Sequence, residues 1–162
     1  MVKENTIHTF KVPSIDGGEI DFSAFKGKKV LVVNTASDCE FTTQYRQLQE
    51  LFNNFTNNLV VVGFPSNNFG EQEPGTNKEI RNFCSYRYGV TFPLAAKSEV
   101  IGVEINPVFK WLNEQELDGD LNKSITWNFQ KFLLNEDGKL IAVFPPSMDP
   151  INEELLRLLN LN

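Results

Sequence analysis

The chain has 162 residues, 41% of them hydrophobic, including 14 Phe, and a formal net charge of −6. That is the length of one ordinary domain with ample apolar material for a core, so a single domain over 1–162 is expected. The acidic balance argues against nucleic acid and anionic membrane as partners, which both require basic patches, and no apolar run of about 18 residues predicts a membrane span.

In chain order, the opening MVKENTIHTF is polar and lacks the apolar stretch of a signal peptide. Cytoplasmic location is therefore the expectation, in a compartment where cysteines stay reduced unless they do redox work. Phe10 to Phe25 carries Asp16-Gly17-Gly18 between short alternating runs, which predicts a β-hairpin. Lys29 to Thr35 (KVLVVNT) is short, continuously apolar and β-branched, the pattern of a buried strand. A polar loop, Ala36 to Glu40, follows, and Thr42 and Thr43 offer N-caps to a helix with Tyr45, Leu48, Leu51, Phe52 and Phe55 at helical spacing. Leu59 to Pro65 (LVVVGFP) is a second buried strand, so the segment is a βαβ unit with a parallel strand pair.

Beyond it, Thr76 and Asn77 are candidate caps for a helix to about Tyr88, and Pro107 opens another with Val108, Trp111 and Leu112 apolar. Phe132 to Leu134 and Leu140 to Phe144 flank Glu136-Asp137-Gly138-Lys139 as an antiparallel hairpin, and Asn152 to Leu161 is a terminal amphipathic helix. The order βαβ, helices, ββα is an α/β, thioredoxin-like fold. It has a central mixed β-sheet flanked by helices, an N-terminal hairpin and an inserted middle segment.

The functional position of that fold is the loop running from the first βαβ strand into the helix, and Cys39 stands there. Unpaired N–H groups and the positive end of the helix dipole stabilise a thiolate, the form that attacks a peroxide oxygen and leaves as a sulfenic acid. The other cysteine, Cys84, and the single histidine, His8, complete no metal-ligand set, because structural zinc wants four Cys/His ligands. No cofactor and no metal are expected.

Three ordered blocks carry a specific resemblance: NTASDCEFTTQY (Asn34 to Tyr45), FPSNNFGEQEPGTNKEI (Phe64 to Ile80) and WNFQKFL (Trp127 to Leu133). They resemble the signature blocks of the glutathione peroxidases, and the likeness runs over nearly the whole chain. The resemblance implies a reactive cysteine at Cys39 served by Gln72, Trp127 and Asn128. These are donors without charge that can hydrogen-bond the thiolate and orient the peroxide. It further implies that Cys84, in IRNFCSYRYG, matches the resolving cysteine of the thioredoxin-dependent members. The product is then an intramolecular disulfide that thioredoxin reduces. A resolving Cys84 requires local unwinding of the 77–88 helix, since a disulfide demands sulfurs about 2 Å apart.

The sequence departs from the family pattern at Asp38 and Glu40, which flank Cys39. Facing the sulfur they would disfavour its thiolate, so they are expected to point to solvent. An acidic rim repels anionic glutathione and favours a protein dithiol as reductant. Ser66 and Asn68 stand where Cys and Gln are frequent, which leaves Cys84 as the candidate resolving thiol. The chain lacks the extra surface segment that the larger tetrameric members use for assembly, so the resemblance implies a monomer or a weak homodimer, with an open rim that admits lipid hydroperoxides as well as hydrogen peroxide. Two alternatives stay open: a one-Cys enzyme using glutathione, with Cys84 structural, and a sensor that passes its oxidation to a partner protein.

Overall fold

The structure, a computed structural model, describes residues 5–117, 120–121 and 125–160. The expected N-terminal hairpin is present: β1 (Lys11–Pro13) pairs antiparallel with β2 (Glu19–Asp21), Val12 opposite Ile20. Val12 and Ile20 are the inward residues, as the two-residue period of a strand requires.

The two apolar runs form β3 (Lys29–Thr35) and β4 (Leu59–Pro65), every residue of both buried, joined through α1 (Gln44–Asn54). The middle of the chain holds α2 (Asn77–Tyr88), α3 (Pro107–Asn113) and a short hairpin of β5 (Glu116–Leu117) and β6 (Asp120–Leu121). That hairpin was not anticipated, because two-residue strands carry no usable period. β7 (Lys131–Leu134), β8 (Leu140–Phe144) and α4 (Glu153–Leu159) close the chain. The four-stranded sheet has the order β4–β3–β7–β8; β3 and β4 are parallel and the remaining pairs antiparallel. This is the mixed-sheet, thioredoxin-like arrangement the element order predicts.

Alternation along the strands sends side chains to two cores. Val30, Val32, Val60, Val62 and Phe64 pack with α3 through Val108, Phe109 and Leu112. Leu31, Val33, Leu59 and Val61 pack with Tyr45 and Leu48 of α1, Ile80 and Cys84 of α2, and Leu155 of α4. Both cysteines belong to this second face, Cys84 inside it and Cys39 packed against its edge.

The helix ends refine the sequence reading. At α2, Thr76 is the cap: its hydroxyl accepts Glu79 N–H (3.2 Å) while Glu79 Oε1 accepts Thr76 N–H (3.0 Å). Asn77 is instead the first helical residue, its Oδ1 accepting Lys97 N–H (2.8 Å). Gly89 (φ 61°) ends the helix left-handed, where Val90 N–H reaches Cys84 O and Gly89 N–H reaches Ser85 O. At α4, Asn152 is the cap rather than a helical residue, the helix ends at Leu159, and the expected terminus at Leu161 lies outside the described residues. Among the described residues, no helix is long and apolar enough to cross a membrane.

Candidate active site

β3 delivers the chain to Ala36, and the turn that follows carries Cys39, half-buried. Thr42 and Thr43 do not cap α1 through their side chains, contrary to expectation. Thr43 holds the cap position without a side-chain bond. Thr42 pins the cysteine turn: its hydroxyl accepts Cys39 N–H (2.9 Å) and donates to Ala36 O (3.0 Å). Short bonds Thr42 N–H to Cys39 O (3.1 Å), Gln44 N–H to Phe41 O (2.9 Å) and Tyr45 N–H to Thr42 O (3.1 Å) wind this turn into α1. The sulfur occupies the acceptor position of a cap, taking Phe41 N–H at 3.3 Å. The helix start thus presents a backbone donor to Sγ. Asp38 and Glu40 are exposed.

The loop after β4 carries Gln72, and the loop before β7 carries Trp127 and Asn128. Asp38 N–H donates to Gln72 O (3.0 Å), so the cysteine turn and the Gln72 loop are joined backbone to backbone. Asn128, fully buried, donates from Nδ2 to Gln72 Oε1 (3.1 Å) and Phe69 O (3.2 Å), joining the second and third loops. Trp127 is half-buried with its ring 5.8 Å from that of Phe69. Gly70 lets the Gln72 loop lie against Trp127. At its φ of 66°, a Cβ would come 2.9 Å from the tip of the Trp127 ring and 3.2 Å from Gln72 Cδ. All four predicted residues therefore lie on three loops tied to one another. Among the described residues, no hydrogen bond joins Cys39 Sγ directly to Gln72, Trp127 or Asn128.

Several supporting residues escaped the sequence reading. Asn34, buried in β3, donates to Trp127 O (3.0 Å), and its Oδ1 and backbone O accept Gln130 N–H (3.1 Å) and Phe129 N–H (2.6 Å). A lone amide in the apolar run KVLVVNT was the available signal. Lys131, 1% exposed, donates from Nζ to Pro146 O (2.9 Å), Met148 O (2.6 Å) and Pro145 O (3.4 Å). Gln44 Nε2 reaches the same Pro146 O (2.9 Å). Burial pushes the Lys131 ammonium down to about 7, against the opposing charge of Asp149. Ser66 and Asn68 brace the inserted segment: Asn68 Oδ1 accepts from Ser66 Oγ (3.0 Å) and Val100 N–H (2.6 Å), and Asn68 Nδ2 donates to Glu99.

Cys84 is wholly buried on α2, and both cysteines are free thiols. Burial pushes the Cys84 thiol up to about 11; the Tyr45 hydroxyl and Arg81 work the other way, and the negative charge of Glu73 adds to the rise. Burial likewise holds the Tyr45 hydroxyl well above its ordinary range. The Tyr45 and Thr35 hydroxyls are buried without a partner at full hydrogen-bond geometry. Arg81, on the same helix, pairs with Asp16 of the N-terminal hairpin (3.2 Å).

A thioredoxin-like sheet with a cysteine held at the start of the first crossover helix defines a thiol-redox protein. The glutathione peroxidase family profile matches residues 7–113. The hydroperoxy fatty acid reductase gpx1 of Synechocystis is 47% identical over 145 residues, covering 85% of each chain. The glutathione peroxidase-like peroxiredoxin gpx1 of Schizosaccharomyces pombe is 48% identical over 136 residues, covering 83% of this chain and 85% of that one. The crystal structure of Trgpx in its apo form superposes with a TM-score of 0.74 at 35% identity, covering 98% of both chains. The chain belongs to the glutathione peroxidase family. It is a thiol peroxidase, reducing hydroperoxides.

Proposed function

We propose that Cys39 is the sulfur that attacks the hydroperoxide, supported by Gln72, Trp127 and Asn128. The observation that carries this is the seating of Cys39: Phe41 N–H is on its sulfur, and its turn is bonded through Asp38 N–H to the backbone of Gln72. The thiolate displaces the distal oxygen's leaving group, Cys39 becomes a sulfenic acid, and the donors receive the negative charge that develops on the departing oxygen. Asn128 has given both its amide hydrogens to Phe69 O and Gln72 Oε1, so its part is to hold the Gln72 amide with its own NH2 group free.

Cys84 then condenses with the sulfenic acid to form the Cys39–Cys84 disulfide, which thioredoxin reduces. This reading is supported by the shared core face of the two cysteines and by the exposed Asp38 and Glu40, which disfavour glutathione at the turn. The peroxiredoxin name borne by the fission yeast relative agrees with a protein reductant, and the fatty acid name of the cyanobacterial one with lipid hydroperoxides as well as hydrogen peroxide. The chain is read as one domain over 1–162, cytoplasmic, working as a monomer or weak homodimer.

Cys84→Ser tests the scheme. Thioredoxin-driven turnover falls to background while the first oxidation of Cys39 by peroxide persists. Undiminished thioredoxin-driven turnover contradicts it, and full activity with glutathione in that variant favours the one-cysteine alternative.

A further inference from the structure

One buried carboxyl group near the two cysteines has no part in the scheme so far. Glu73 follows Gln72 directly and is 1% exposed. Its backbone N–H is held by Asn67 Oδ1 (2.9 Å), which fixes the residue with its side chain inward. Ser37, two residues before Cys39, is the neighbour that most favours its carboxylate, through backbone N–H and hydroxyl. Neither contact reaches full hydrogen-bond geometry, and Glu73 Oε2 and Ser37 Oγ are both buried without a partner. On its other side Glu73 acts electrostatically on Cys84 and on Tyr45. A cavity of about 310 Å³ opens beside it, lined by Ser37, Asp38, Glu73, Glu79, Ile80 and Phe83, and so bounded by both the Cys39 turn and the helix that carries Cys84.

A carboxyl kept only for structure is ordinarily paired or fully hydrogen-bonded, because an unsatisfied buried polar atom costs about 1–3 kcal/mol. Glu73 Oε2 bears that cost, offset only in part by Ser37 and the charge of Lys97. The group is an acceptor with a vacant buried oxygen, beside the cavity that the Cys39 turn and the Cys84 helix both bound. Cys84 has the complementary need, since the thiolate is the nucleophile and its own proton is held by burial.

Resting on the reading that Cys84 resolves Cys39, we propose that Glu73 is the proton acceptor of the resolving step. The Cys84 thiol gives its proton to the Glu73 carboxylate, and the sulfur's electron pair forms the bond to the Cys39 sulfenic sulfur. The Cys39 S–O bond breaks, and the departing hydroxide takes a proton back from Glu73 and leaves as water. Cys84 is oxidised, the sulfenic sulfur is reduced, and Glu73 returns to the carboxylate. The ionisable groups that face Glu73 are Asp38 from the cysteine turn, Lys97 from the inserted segment, Tyr45 from α1 and Cys84 from α2, with Glu79 on the same cavity. Burial raises the Glu73 carboxyl to about 7, the range in which a base both accepts and releases a proton readily.

The test is a single turnover of the full-length reduced protein with one equivalent of hydrogen peroxide. It is quenched with an alkylating reagent and read by mass as sulfenic acid or disulfide. In the wild type the rate of disulfide formation climbs through pH 7 and then levels. Glu73→Gln slows it at least tenfold at pH 7.5, and the remaining rate rises about tenfold per pH unit to beyond pH 9, following the Cys84 thiolate alone. Glu73→Asp keeps the levelling. A wild-type rate that never levels below pH 9, or a Glu73→Gln rate and profile like the wild type's, overturns the proposal; the wild-type profile decides even if a variant fails to fold. A wild type whose Cys39 sulfenic acid persists and never yields the disulfide overturns the role of Cys84 itself, and Glu73's with it.

Discussion

The side-chain amide of Asn128 donates to Gln72 Oε1 at 3.1 Å, and this bond fixes which end of the Gln72 amide is free. In the proposed scheme the two residues act as one unit, Asn128 orienting and Gln72 donating. Asn128→Ala and Gln72→Ala should each slow the oxidation of Cys39 by peroxide by about 100- to 1,000-fold, the order expected for a lost donor to developing charge. The double variant should be little worse than Gln72→Ala, because both remove the same donor. Second-order rates from stopped-flow mixing check this; multiplicative losses would separate the two residues.

Thr42 ties the cysteine turn through two bonds, to Cys39 N–H and Ala36 O. Thr42→Val keeps the shape and breaks both, so it should destabilise the fold by about 1–3 kcal/mol and slow peroxide reduction, as the turn loses its fixed geometry. Thr42→Ser restores both. Denaturant titration and initial rates on the two variants are the measurement.

Gly70→Ala should cost about 1–3 kcal/mol and lower the peroxide rate. The residue has φ 66°, and its new Cβ meets the Trp127 ring at 2.9 Å. The same substitution at Gly17, where a Cβ meets nothing within 4 Å, has only the backbone term and should leave the rate untouched. Thermal unfolding and peroxide kinetics on both variants check the contrast.

Two buried charges make stability depend on pH. The folded Lys131 value of about 7 lies below the unfolded value near 10.4, so between them the unfolded chain binds more protons and stability rises with pH. Lys131→Met should abolish that rise, seen as a flatter denaturation midpoint from pH 7 to 10 relative to the wild type. Glu73 has the opposite sign: its folded value of about 7 lies above the unfolded one near 4.3, so its contribution is fully present below pH 4 and is lost as pH rises through 7. Glu73→Gln should therefore stabilise the protein by roughly 1–3 kcal/mol at pH 8 and little at pH 4, since one pKa unit is worth about 1.4 kcal/mol.

Long elements were legible in the sequence because a single period governs each: Lys29–Thr35 and Leu59–Pro65 were read to the residue. The cysteine turn was located for the same reason, lying between a buried strand and an amphipathic helix. Chemistry that depends on where a side chain turns was not legible. Thr42 reads as a helix cap from its neighbours, yet its hydroxyl faces back to Cys39 N–H because the intervening turn is wound tighter than a helix. Asn128 reads as a donor to sulfur, yet its two hydrogens go to Phe69 and Gln72. Glu73 looks like one more solvated acid in GEQEPG, and only the packing of three loops buries it.

Rapid mixing of the reduced protein with hydrogen peroxide is the decisive measurement for Cys39 as the peroxide-reactive sulfur. Trp127, on the loop bound to that of Gln72, reports the event by fluorescence, and alkylation followed by mass analysis locates it. A fast fluorescence change is expected, with Cys39 blocked to alkylation in step with it. An unchanged signal with Cys39 still fully alkylatable would contradict it.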